Sequence, residues 1–297
     1  QQEFETGNKE KALEKLLELL DALEEADTSR RAAQIDKDGN VTLSSEIPAG
    51  KPAAEKSAED GTGESQPLYM SLNHVMEYYI FAYYFQPATE VRCTDIPYGE
   101  YYRTYGQLAL SMQKYNGAKK AYERAIAWNP VDLDAYLGLA EVYKYQNQRE
   151  KYLTVTKQAY RYCCTRATMA RYYRNMAFYY LSGYEPETAR ACYQYSNVYY
   201  HTENADSELK YISEAIQQET PQTDIRAIQK LFDEKQIEPG PDSQTIGIVY
   251  KVGEILLKDG DYKLAKDCYS IVYDITQDAA AEKMLNELEA AISGTEE

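Results

Sequence analysis

The chain has 297 residues, enough for two compact domains or one continuous array of repeats. Its 48 Asp and Glu outweigh 32 Lys and Arg, and the net charge of −16 opposes binding to nucleic-acid phosphates or to an anionic membrane surface. No apolar run is long enough for a membrane-spanning helix; the best candidate, VMEYYIFAYYF at 75–85, is short and interrupted by Glu77.

Residues 8–26 predict a helix, with Leu13, Leu16, Leu17, Leu20 and Leu23 forming an apolar stripe. Gly7, Ala12 and Leu16 share the spacing of Gly260, Ala265 and Tyr269, so residues 1–26 are expected to be the second helix of a partial repeat. From 27 to 67 the chain is rich in Ala, Ser, Gly, Lys and Glu, and it reads as an inserted loop or linker. Inside it, Asp38-Gly39 between Ile35 and Val41 is a hairpin signal. The alternation of Asp36, Asp38 and Asn40 is not a calcium loop, because Val41 stands where the turn needs Gly. A helix is expected over 69–85, followed by a loop holding Pro87 and Pro97.

Helix pairs are then expected through residue 203. Tyr102, Tyr105, Gly106, Ala118, Tyr122, Ala125 and Pro130 alternate large and small residues at helical spacing. The first half returns about 34 residues later as Tyr136, Leu139, Ala140 and Tyr143. It returns again as Tyr173, Met176, Ala177 and Tyr180, with Ala189, Tyr193 and Ser196 in the second helix. The small residues mark close helix–helix approach. Residues 204–245 predict an atypical pair without the pattern. Residues 246–297 predict a last pair built on Val249, Val252, Gly253 and Leu256, with a polar-faced cap at 279–292.

This pattern resembles the tetratricopeptide repeat family. The resemblance implies an all-α fold, a right-handed superhelical solenoid of antiparallel helix pairs that binds proteins or peptides. It is imperfect: Ala109 stands where the first helix should close on a large residue, and Tyr152 and Thr156 depart from the second-helix pattern. By position in that family, Arg103, Gln107, Lys144, Arg171, Arg174, Asn175 and Phe178 are expected to line the concave groove. Gly138 and Glu141 stand where a further polar or cationic group would complete a carboxylate clamp.

Residues 149–174 hold seven basic residues and one acid, Glu150, within an otherwise acidic chain. Arg holds carboxylates through two parallel hydrogen bonds. The expected partner is therefore an acidic peptide or protein segment, although a solvated basic face or the chain's own acidic ends would also use these charges. The tyrosines, 31 against 5 Phe and 1 Trp, are expected to be mostly core, with one ring of each adjacent pair turned outward. His74 and His201 are far apart in sequence, and no nucleophile elbow, phosphate loop or metal-ligand spacing is present. Cys93, Cys163, Cys164, Cys192 and Cys268 read as free thiols of a reducing compartment. The expectation is thus a cytoplasmic, non-enzymatic scaffold with no catalytic residues, metal or cofactor. A small-peptide-responsive regulatory receptor and a self-assembling structural repeat protein are the alternatives.

Overall fold

The computed structural model describes residues 8–26, 31–36, 39–44 and 67–293. Most of the expected 27–67 insertion therefore lies outside the described residues, as do Gly7 and Asp38. The described residues hold thirteen helices and four three-residue strands. The chain forms two compact units, Gln1–Val155 and Thr156–Glu297.

The first unit begins with α1 (Lys9–Ala26), whose Leu13 and Leu20 are buried. Strands β1 (Ala33–Ile35) and β2 (Val41–Leu43) pair antiparallel, with Ile35 opposite Val41. Gly39 has φ +89°, a backbone conformation that glycine adopts without steric cost. Asn40 donates from its backbone and side-chain nitrogens to Asp36, so these polar groups close the loop on each other.

The segment expected to be helical from residue 69 instead starts as β3 (Leu68–Met70), which pairs in parallel with β4 (Val91–Cys93). Leu68 and Met70 bury their side chains fully, and their backbone finds partners in the strand across from them. Helix α2 (Val75–Phe85) begins only after His74, which is extended. These pairings are non-local, so helical periodicity did not reveal them.

The repeat pattern becomes helical hairpins. Helix α3 (Tyr98–Ser111) packs on α4 (Tyr115–Trp128), and α4 packs on α5 (Leu133–Tyr145). Helix α6 (Arg149–Tyr160) crosses the boundary between the units. Helix α1 lies on α3, where the Tyr98 hydroxyl donates to the Leu23 carbonyl at 3.3 Å. Tyr98 also stacks on Trp128 with ring centroids 4.2 Å apart. Pro130 ends α4, and its carbonyl accepts from the Tyr136 hydroxyl at 3.0 Å. Gly106 and Gly138 let the helices close on Tyr122: a Cβ at either would sit 2.9 Å or 2.3 Å from its ring.

The second unit holds α7 (Arg166–Ser182) and α8 (Pro186–Tyr199), a closely packed pair. Thr165 caps α7 through a reciprocal capping box with Thr168, and Pro186 opens α8. Helices α9 (Glu203–Ile216) and α10 (Ile225–Lys235) both pack on α8. Helices α11 (Ser243–Lys258) and α12 (Tyr262–Thr276) form the last motif-bearing hairpin, and α13 (Ala279–Ser293) packs on α12. Gly253 permits that hairpin, since a Cβ there would lie 3.1 Å from Tyr269.

One tyrosine expectation is corrected here. Tyr172 and Tyr173 are both buried, rather than one inward and one outward. Tyr173 stacks on Tyr199 and Phe232, while Tyr172 meets Tyr160. The reason is that aromatic rings from α6, α8 and α10 surround α7 on both sides. The pattern of one inward ring does hold at Tyr101–Tyr102, where only Tyr102 is buried.

Candidate functional site

The described residues divide the seven predicted groove residues into two groups. Arg103, Gln107 and Lys144 belong to the first unit, and Arg171, Arg174, Asn175 and Phe178 to the second.

In the first unit, Arg103 is not a free groove cation. Its Nε lies 3.2 Å from Asp132 Oδ2 and its Nη1 3.2 Å from Asp134 Oδ2. Its Nη2 donates to Asn73 Oδ1 at 2.7 Å. Gln107, one turn further along α3, is exposed. Lys144 on α5 reaches to 4.0 Å from Glu141, at the limit of an ion pair. Gly138, read as a gap in a carboxylate clamp, instead makes room for the buried Tyr122 ring.

In the second unit, Arg171, Arg174, Asn175 and Phe178 follow an i, i+3, i+4, i+7 spacing, which places them along one stripe of α7. The stripe exists because the opposite side of α7 carries the core: Met169, Tyr173, Met176, Ala177 and Tyr180 are buried. Arg171, Arg174 and Phe178 are half-buried, and Asn175 is buried. The Nη1 of Arg174 is buried and has no hydrogen-bond partner. Burial, and secondarily the like charge of Arg171, pulls the Arg174 guanidinium below its usual pKa. The buried, unpartnered Nη1 of Arg174 makes a local demand for a negatively charged acceptor.

Several cations of the basic run at 149–174 engage their own chain. Arg149 pairs with Glu150 at 3.1 Å, and Lys151 lies over the Tyr143 ring at 5.8 Å. Arg166 donates to the Val198 carbonyl at 2.8 Å and lies 6.0 Å from the Tyr199 ring centre. Lys157 and Arg161 are exposed. Counting charges along the sequence did not distinguish a cation bound to its own chain from one that faces a partner.

Among the described residues no group of three or more His, Cys, Asp or Glu side chains is placed to hold a metal, and no helix is long and apolar enough to cross a membrane. Buried Cys163 and Cys192 and half-buried Cys164 are poor nucleophiles: desolvation pushes Cys164 up to about 11 and raises Cys163 and Cys192 further.

Residues 99–132, which form the α3–α4 hairpin and its closing turn, match the tetratricopeptide repeat family. The chain thus carries a tetratricopeptide repeat at residues 99–132. Several solved tetratricopeptide structures resemble it at low identity. A chain of the APC/C hetero-tetramer Cut9-Hcn1 aligns at 14% identity and TM-score 0.38, covering 66% of this protein and 38% of that chain. PilF of Pseudomonas aeruginosa aligns at 15% identity and TM-score 0.36, over 67% of this protein and 86% of that chain. YrrB, described as a TPR protein with an unusual peptide-binding site, aligns at 14% identity and TM-score 0.34, over 63% and 91%. The protein spans well under half of the Cut9-Hcn1 chain it resembles. No curated protein matches it in sequence.

Sequence reasoning missed the network around Arg103, which joins Asn73, Glu77, Asn129 and Asp132. The signal was present: Glu77 is a charge inside an otherwise apolar helix, and such a residue needs internal partners.

Proposed function

We propose that this tetratricopeptide repeat protein is a non-enzymatic scaffold that captures an acidic peptide or protein segment on the α7 stripe. The observation that carries this reading is the buried Nη1 of Arg174, which lacks an acceptor and lies on the same stripe as Arg171. A carboxylate arriving there supplies charge-assisted acceptors and relieves the repulsion between the two guanidinium groups. Asn175 adds an amide beside them, and Phe178 adds apolar contact one turn further on. In the first unit, Arg103 is committed to Asp132 and Asp134, and Gln107 is an exposed polar position for a partner. The protein's overall negative charge disfavours non-specific capture of acidic chains, so local geometry has to supply the selectivity.

The test is a pull-down with the wild type beside an Arg171→Glu/Arg174→Glu double mutant. Acidic partners should be retained by the wild type and lost by the mutant. Equal recovery of the same partners by both would remove the α7 stripe from the account.

A further inference from the structure

A polar knot in the first unit joins the ends of four helices. Glu77 near the start of α2 accepts from the Asn73 backbone at 2.7 Å, the Asn73 side chain at 2.9 Å and the Asn129 side chain at 2.7 Å. Asn73 also accepts from Arg103 of α3, and Arg103 approaches Asp132, the N-cap of α5. Asn129 is the C-cap of α4. Glu77 and Asp132 are 5% and 1% exposed.

The charges do not balance. Two carboxylates are buried here, but Arg103 reaches only Asp132 of the two and divides its charge with Asp134, so negative charge exceeds positive charge away from water. Such a pair favours holding a proton. The geometry shows where. Glu77 is satisfied by three donors. Asp132 Oδ1 accepts from the Ala135 amide at 3.1 Å and from Arg103 Nη1 at 3.5 Å, but Asp132 Oδ2 accepts no hydrogen bond, since the Arg103 Nε at 3.2 Å is not aligned with it.

We propose that this knot is a proton-controlled latch: protonated, it fastens the 71–77 segment to the α3–α5 helices, and deprotonated, it lets that segment open. Burial, opposed by Arg103 and reinforced by Glu77, pushes Asp132 up to about 7. The sign follows from linkage. A carboxyl raised in the closed form binds its proton more tightly there than when open. Its contribution is therefore fully present below the ordinary carboxylate pKa of about 4 and is lost as pH rises from there through about 7. The other charged groups facing the knot are Asp134, on Arg103, and His74, whose Nε2 lies 3.8 Å from Glu77 Oε1. The segment that would open is held by few other bonds: the Ser71 amide donates to the Trp128 carbonyl, and Ser71 Oγ accepts from the Gly99 amide.

Amide hydrogen exchange on the full chain, corrected for intrinsic rates, tests the latch. Opening of peptides covering 71–77 should rise about tenfold from pH 6 to pH 8, while α7–α8 peptides stay constant. Asp132→Asn keeps an equally good helix cap and should abolish the pH dependence. Glu77→Gln should also remove it from this range, and it decides the matter if the first variant fails to fold. His74→Asn should leave it intact. A flat wild-type profile, an unchanged slope in the Asp132 or Glu77 variant, or a slope lost with His74 would each overturn the proposal.

Discussion

The ring of Tyr122 occupies the space where a side chain at Gly138 would begin: a Cβ there would lie 2.3 Å from two ring atoms. Tyr122 is itself 2% exposed, and on its other side a Cβ at Gly106 would lie 2.9 Å away. One buried ring therefore sets the distances of α3 and α5 from α4. Gly138→Ala should destabilise the protein by about 1–2 kcal/mol, because overpacking outweighs the helix propensity that Ala adds. The same substitution in a Tyr122→Ala background should become neutral or stabilising. Urea unfolding of the four proteins in this cycle measures the coupling, and additive effects would show that the ring and the glycine do not meet.

Ala189 is fully buried in α8 where it packs on α7. Ala189→Leu should cost about 1–3 kcal/mol by forcing the pair apart. An unchanged melting temperature would count against that placement.

Tyrosine hydroxyls hold the break at EPGPD. Tyr173 donates to the Glu238 carbonyl at 2.8 Å, and Tyr195 donates to the Pro239 carbonyl. Tyr173→Phe leaves a carbonyl short of a donor and should cost about 1–2 kcal/mol. Exchange protection should fall first in peptides containing residues 237–242. A loss spread evenly over the chain would point to a packing defect instead.

Alkaline titration should separate two classes of phenol. Burial pushes Tyr143 and Tyr199 up to about 12 and raises Tyr172 and Tyr173 beyond that range. Each favours its neutral form in the folded state, so its contribution is present below the ordinary phenol pKa of about 10 and is lost above it. Absorbance near the phenolate band should rise first for exposed tyrosines, and the remainder should appear only as the fold is lost. A single titration step with the helical circular dichroism unchanged would contradict this burial.

The repeat was legible because its signal is local. Tyr102, Gly106, Tyr122, Tyr136 and Ala140 sit at spacings that successive helical hairpins impose, and all are buried. The sheet pairing of β3 with β4 was not legible, since Leu68 and Val91 meet only through a non-local contact. The candidate site was partly legible. The i, i+3, i+4, i+7 stripe of α7 follows from sequence spacing, but the internal engagement of Arg103 depends on Asp132 and Asn73, some 30 residues away on other elements. Gly138 shows the same limit: its reason is a ring on the preceding helix, not the composition of its own.

The most direct test of the central claim is the affinity for an acidic peptide, measured by isothermal titration at two salt concentrations. The wild type should bind more weakly as salt rises, and Arg171→Glu/Arg174→Glu should bind at least about tenfold more weakly with the same circular dichroism and melting temperature. Equal affinity of the two proteins, or binding indifferent to salt, would contradict a carboxylate-capturing stripe on α7.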